Sequence, residues 1–148
     1  MRSPGPSALA DVVVNDVHSQ LNETVVAEVV PADSLEAISR AIARARERQL
    51  PVAVSGGRHA MGGQQFCSGG LLLDTRPLER VLSFDRERGT IDVEAGIQWP
   101  ALHAHLVAAQ DGSEAAWGIR QKQTGADRLS LGGALSANVH GPEPAARA

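Results

Sequence analysis

The chain has 148 residues, a single cysteine, a formal charge of −3 and a sequence pI near 5.9. A chain of this length is one domain in size and buries roughly two thirds of the surface its unfolded form exposes, but with two Phe, two Trp and no Tyr its core must be built from small aliphatic side chains. The acidic balance excludes the basic face that nucleic acid requires, no apolar run approaches the ~20 residues of a membrane helix, and the lone Cys67 excludes an internal disulfide and fits a reducing compartment.

Residues 1–10, with Pro4, Gly5 and Pro6, read as a disordered leader. Residues 1–16 lack the apolar segment of a secretory signal, so the chain reads as cytoplasmic and the sequon Asn22-Glu23-Thr24 as accidental. Val12–Val14 is a candidate edge strand. Thr24–Val30, rich in β-branched residues and closed by Pro31, predicts one continuous strand. Asp33 and Ser34 open a helix, Asp33 standing three residues before Glu36 as in a capping box. Leu35, Ile38, Ile42 and Ala45 recur at helical spacing and predict its buried face. Arg40, Arg44 and Arg48 line another side, a solvated face supported by Glu36–Arg40 pairing or an attractor of anions.

Pro51 ends that helix and Val52–Val54 supplies the next strand, so residues 24–54 read as a β-α-β unit with a right-handed crossover. The second strand runs into Ser55-Gly56-Gly57-Arg58-His59-Ala60-Met61-Gly62-Gly63, followed by Gln64 and Gln65. The loop therefore lies at the carboxyl end of a strand, where open α/β sheets bind ligands. Gly56, Gly57, Gly62 and Gly63 are expected to take positive φ and turn backbone N–H groups onto an anion such as a phosphate. A mobile surface loop is the alternative, although a linker needs neither the fixed charge of Arg58 nor the nucleophilic ring of His59. The spacing is not that of the GxGxxG fingerprint and no helical pattern follows, which disfavours a Rossmann domain.

Leu71–Asp74 is an unbroken apolar strand expected to be buried on both faces. Val81–Asp85 and Thr90–Ala95 flank the turn Arg86-Glu87-Arg88-Gly89 as a hairpin, with Ile91, Val93 and Ala95 inward and Asp92 and Glu94 outward. Pro100 suits the first turn of a helix reaching about Gln110, with Leu102, Leu106 and Ala109 on one face. His103 and His105 lie about 200° apart on it and cannot form a two-ligand metal face. No other cluster argues for a metal. A polar connection, 111–123, leads to the second informative stretch, Thr124–Gly141, dense in small residues, and then to the tail Pro142–Ala148.

The loop Ser55–Gly63 resembles the glycine-rich, histidine-containing loop of the FAD-linked oxidases with a PCMH-type FAD-binding domain, typified by vanillyl-alcohol oxidase, berberine bridge enzyme and the aldonolactone oxidases. Arg58 stands where several relatives have a third glycine. Glu94-Ala95-Gly96 followed by Trp99 is similar to the family's strand-to-helix connection, and Thr124–Gly141 to its Gly-Gly segment lining the flavin. The resemblance spans about Val13–Gly141 but only the front portion of the family's architecture, as in a truncated or split member; the last residues also suit a reading frame that has left the coding sequence.

The resemblance implies an α+β fold, the N-terminal part of a PCMH-type FAD-binding domain: a β-α-β unit followed by mostly antiparallel strands and a helix, over residues 11–141, with a disordered tail at 142–148. It implies FAD as cofactor. Its pyrophosphate would be held by the backbone of Ser55, Gly56, Gly57, Arg58, Ala60, Gly62 and Gly63, with Arg58 as charge partner and Gln64 and Gln65 as amide contacts or solvated side chains. His59 corresponds to the histidine that can carry the flavin covalently; a hydrogen bond to the flavin or to the loop is the alternative. Thr124, Gly125, Ser130, Gly132, Gly133, Ala137, Asn138 and His140 form a second set of contacts, the N-terminal amides of Gly132 and Gly133 adding donors for the same anion. Tight packing through small residues is the other reading of this stretch, and His140 could serve as an acid or base. Cys67 reads as a small apolar residue. The implied function is an FAD-dependent oxidoreductase acting on a small hydroxylated substrate, or its cofactor-binding fragment; the alternatives are a non-catalytic FAD or diphosphate module and an inactive truncation. The expected partners are a small-molecule substrate bound through a missing domain and a separately encoded C-terminal half.

Overall fold

The computed structural model describes residues 11–113, 116–122 and 125–139. Its elements are β1 (Val12–Val14), β2 (Thr24–Val26), β3 (Glu28–Pro31), α1 (Leu35–Glu47), β4 (Val52–Ser55), β5 (Leu71–Asp74), β6 (Val81–Asp85), β7 (Thr90–Val93), α2 (Trp99–Ala109) and α3 (Leu131–Ser136). The mixed α and β architecture agrees with the sequence reading. Among the described residues no helix is long and apolar enough to cross a membrane, and no three potential metal ligands cluster.

β5 lies between β3 and β4, parallel to both, in register Leu72 opposite Val29 and Ala53. All four of its residues are buried. Successive side chains of a strand point to opposite faces, so burial of every position requires a cover on each side. Leu71 and Leu73 pack with Ala41 and Ala45 of α1, whereas Leu72 packs with Val14 and Val26 of the β1–β2 ribbon. A third cluster, Ile97 with Leu102 and Leu106, joins α2 to the β6–β7 hairpin.

Several expectations need correction. Thr24–Val30 is two strands: β2 pairs antiparallel with β1, and the chain then crosses to the parallel sheet at Ala27, whose N–H donates to Gly70 while Gly69 donates to Val25, both at 2.9 Å. The strands joined by α1 are parallel, as a β-α-β unit requires, but β5 separates them. α1 is capped by Ser34, whose hydroxyl accepts from Ala37 N at 3.2 Å, and Asp33 instead accepts from that hydroxyl. Its buried residues are Ala41 and Ala45 with Ile38 beside them, while Leu35 is 75% and Ile42 43% exposed. A sheet of three short strands offers a narrow seat, and alanines let the helix come close to it.

The arginine stripe contributes one ion pair, Arg44 to Glu28 on β3 at 2.6 Å, rather than the expected Glu36–Arg40 pair, which does not form among the described residues. In the hairpin Ala95 is exposed, and Glu94 folds back on Arg80 at 2.6 Å instead of facing solvent. Gln110 ties the end of α2 to the following segment, accepting from Trp117 N and donating to the carbonyls of Leu106 and Trp117.

Burial predicts the response to truncation. Leu72→Ala should cost about 2–5 kcal/mol in chemical denaturation, whereas Leu35→Ala should stay within about 0.5 kcal/mol.

Candidate functional site

At Ser55 the chain leaves the sheet at the carboxyl end of β4, its carbonyl accepting from Thr75 N at 2.9 Å and Thr75 Oγ1 at 3.1 Å. The next two residues pass directly against the segment 128–130. A Cβ on Gly56 would sit 2.0 Å from Ser130 Oγ, and one on Gly57 2.5 Å from the Arg128 carbonyl. Both positions thus need glycine because protein approaches them, and the two stretches singled out in the sequence meet here.

Positive φ falls elsewhere than expected. Gly56, Gly57 and Gly62 do not adopt it; Arg58 (φ 58°) and Gly63 (φ 69°) do. The left-handed conformation at Arg58 is one that glycine adopts without cost and other residues rarely do, which accounts for the third glycine of the resembling loops. Here the arginine side chain gains a buried anchor instead: its guanidinium lies 3.2 Å from Asp74, with side chains 16% and 7% exposed. Asp74 also binds Arg76. Burial alone would raise the Asp74 carboxyl, but the Arg76 side chain and amide, and then Arg58, outweigh it and hold the group below the usual range. Burial presses the Arg58 guanidinium down and Asp74 opposes it. Arg58 is therefore engaged behind the loop.

The β1–β2 connection grips the loop from the other side. Asp16, 2% exposed, accepts from the backbone of His18 at 3.0 Å and Ser19 at 2.6 Å, from Ser19 Oγ at 2.8 Å and from Asn22 Nδ2 at 2.8 Å. The Asn22 bond first, then those from Ser19 and His18, hold its carboxyl far below the usual range against the opposing effect of burial. So organised, the connection reaches across: Val17 N donates to the Arg58 carbonyl at 3.0 Å, Asn22 Nδ2 to the Met61 carbonyl at 2.7 Å, and His18 Nε2 lies 2.7 Å from His59 Nδ1. Asn22, the sequon residue, spends its amide on these bonds. Burial, then the neighbouring His18, lower the pKa of His59 below the ordinary histidine value.

With the loop held from behind, several of its amides are left unpaired. Among the described residues no protein acceptor takes the N–H of Gly56, Gly57, His59 or Ala60. The Ser55 hydroxyl is buried and has no partner. Gln65 donates to the Ala60 carbonyl at 3.1 Å and braces the loop, whereas Gln64 is exposed.

The second stretch is brought to the loop only at its start. Ser130 caps α3 and touches Gly56. Gly132 and Gly133 do not add donors: the Gly132 amide goes to the Ala95 carbonyl at 2.8 Å, because the start of α3 is docked against the 95–97 segment, and the Gly133 amide goes to the Ser130 cap at 3.3 Å. Gly125, Ala137 and Asn138 are exposed, and Thr124 and His140 lie outside the described residues. Asp16, His18, Asn22, Asp74 and Arg128 were not legible as site residues. The dense run of Asn, Asp and Ser at 15–22 between two valine runs is a turn signal, and it is the one sign that could have pointed to the grip. A cavity of about 300 Å³ under α2, lined by His103, Leu106, Gln110 and Trp117 among others, shares no residue with the loop.

The FAD binding domain family matches residues 26–145, taking in both stretches. The chain belongs to this family. Its cofactor is FAD. Two solved structures of alkyldihydroxyacetonephosphate synthase share the fold. One, in space group P1, is 20% identical with a TM-score of 0.65 over 84% of this chain and 24% of that one. The other, in P212121, is 21% identical with a TM-score of 0.62 over 73% and 20%. The chain thus spans about a quarter of the length of these proteins. Comparison with curated protein sequences returned no match. The loop of this FAD-binding chain fits the cofactor's diphosphate: four amides without a protein acceptor and the orphaned Ser55 hydroxyl are donors of the kind an anion needs.

Two outcomes follow. Gly56→Ala should destabilise the fold by about 1–3 kcal/mol through overpacking, and Ser130→Ala should recover part of that loss in a double-mutant cycle, since it removes the nearer of the two clashing atoms. A carboxyl depressed in the folded state stabilises fully above its unfolded pKa and loses that contribution as pH falls through the folded one. Urea midpoints of Asp16→Asn should therefore be lower than wild type at neutral pH, and the difference should shrink below about pH 4.

Proposed function

We propose that this FAD-binding chain is the cofactor-holding part of an FAD-dependent oxidoreductase acting on a small hydroxylated substrate. The observation that carries the reading is the junction of Ser55–Ala60 with Arg128–Ser130, which presents unpaired amides at the end of a parallel strand. In this reading the amides of Gly56, Gly57, His59 and Ala60 and the hydroxyl of Ser55 hold the diphosphate, and Arg58 serves by fixing the loop to Asp74 rather than by touching phosphate. Bound FAD supplies hydride acceptance and reoxidation. The substrate side belongs to polypeptide beyond this span, in one chain or as a separately encoded half; the fold neighbours, four times longer, support that division.

The Nδ1 edge of the His59 ring is engaged by His18 Nε2 at 2.7 Å. That favours the hydrogen-bonding role for His59 over covalent attachment.

Titration of the purified chain with FAD, followed by flavin fluorescence, should show saturable binding that Gly57→Ala weakens by about tenfold or more, the loss of roughly one well-placed hydrogen bond. On acid precipitation the yellow colour should leave with the supernatant. Colour retained in the pellet, with a flavin-modified His59 peptide, would overturn the non-covalent assignment; failure to bind FAD at all would overturn the proposed role.

A further inference from the structure

We propose that the groove between α1 and β4 is the docking surface for an amphipathic helix of the polypeptide that supplies the substrate side of this assembly. Four apolar side chains line it: Leu35 and Ile42 of α1 and Val52 and Val54 of β4, which are 75%, 43%, 41% and 57% exposed. Register and helix geometry put them on one surface. Val52 and Val54 lie opposite Leu71 and Leu73 in parallel strands, so they point to the same face of the sheet as those leucines, the face that α1 covers. On α1 itself, Arg44 reaches Glu28 of β3. Ile42 stands about 200° around the helix from Arg44, and Leu35, two turns before Ile42, shares its flank. β3 and β4 lie on opposite sides of β5, so the flank turned away from β3 is the one beside β4.

The strip is built to be covered. Leu35, Ile38, Ile42 and Ala45 recur at helical spacing, yet of these the sheet takes up only Ile38 and Ala45, together with Ala41. The cause is width. A helix with its side chains is about 10–12 Å across and strands lie ~4.8 Å apart, so one helix roofs about two strands. α1 sits over β5 and β3, where Val30 joins its cluster, and leaves β4 bare. The two outer strands differ to match: β3 carries Glu28 and ends in Pro31, residue types that blunt an edge in water, whereas Val52-Ala53-Val54 has neither charge nor proline. The bare width over β4 is that of one further helix, whose apolar stripe would complete the layer. The length of the fold neighbours, of one of which this chain spans 24%, says where that helix comes from. Four partly exposed side chains fall well short of the ~800 Å² per partner of a free-standing complex, which disfavours a second copy held by this groove alone. β4 runs from the groove straight into Ser55. Polypeptide that meets the flavin at the loop is therefore already tethered beside the groove, and a second contact by the same body needs little area of its own. In that respect the inference rests on the proposed function.

The probe is the polypeptide encoded next to this chain, in frame or as the neighbouring reading frame, co-expressed with it. Hydroxyl-radical footprinting of the full chain alone should label Leu35, Ile42, Val52 and Val54. Co-expression should cut that labelling several-fold and protect a partner stretch whose apolar residues recur every three or four positions. Ile42→Lys, which puts a charge into the apolar contact, should weaken the complex about tenfold or more. It should leave FAD affinity unchanged, because the loop is gripped from the other face of the sheet. Should Ile42→Lys not fold, Leu35→Lys, at the most exposed of the four positions, carries the same test. Unchanged labelling on co-expression, an affinity unmoved by the charge, or protection of an alternating, strand-like partner stretch would overturn the proposal, as would the lack of any adjoining coding sequence whose product joins the chain. A dimer of the chain alone that protects these four residues and dissociates in Ile42→Lys would assign the groove to a second copy and overturn it too. FAD titration of the same samples separates the two readings. A complex with the groove protected and no FAD bound would uphold the docking surface and overturn the FAD reading alone; FAD bound with the groove unprotected would do the reverse.

Discussion

Burial of β5 on both faces is the constraint from which the rest of the structure follows. A three-stranded parallel sheet with Leu71, Leu72 and Leu73 at its centre cannot stand alone in water. α1 covers one face and the β1–β2 ribbon the other, and the chain must be routed to supply both covers. That routing splits the valine run at Ala27, so that a single stretch serves two sheets. It also brings the β1–β2 connection alongside the glycine loop. β5 then ends in Asp74, whose buried carboxylate fastens Arg58 of that loop and Arg76 of the outgoing chain.

The loop is therefore shaped from behind. The carbonyls of Met61 and Ala60 and the Arg58 guanidinium are taken up by Asn22, Gln65 and Asp74, while amides of the loop are left unpaired. This division suits a diphosphate. Buried hydrogen-bonded carboxylates brace the loop, and in the proposed function a diphosphate would meet neutral N–H dipoles rather than long, flexible cationic side chains that would lose conformational freedom on binding. Arg58 illustrates the exchange: its conformation is one in which glycine is comfortable, and the cost of a side chain there is offset by a buried ion pair.

Contacts between distant segments fix the loop at its junction with the 128–130 segment as well. Gly56 and Gly57 pack against Ser130 and Arg128 there, and small shifts would become clashes. The His18–His59 contact at 2.7 Å ties the loop to the β1–β2 connection.

Local patterns carried much of this protein. Most of the elements and their kinds, the double burial of β5, the hairpin, Pro100 in the first turn of α2 and the placement of the glycine loop at the end of β4 depend on neighbouring residues and were legible, as was the family through its loop. What depended on contacts between distant segments was not. Which face of α1 is buried was decided by the narrowness of the sheet beneath it, and Ala41 displaced Ile42 from the core. The need for glycine at 56 and 57 came from a segment more than seventy residues away and not from backbone φ. The amide of Gly132 was consumed by the Ala95 carbonyl on docking, and that of Gly133 by the Ser130 cap. Asp16 and His18 look like ordinary turn residues in the sequence, because a hydrogen bond across forty residues leaves no periodic trace in it. The sequence by itself determined the elements and the chemistry of the loop; only the tertiary structure decided which of its donors are left for a ligand, since that is settled by which of them the protein has already used.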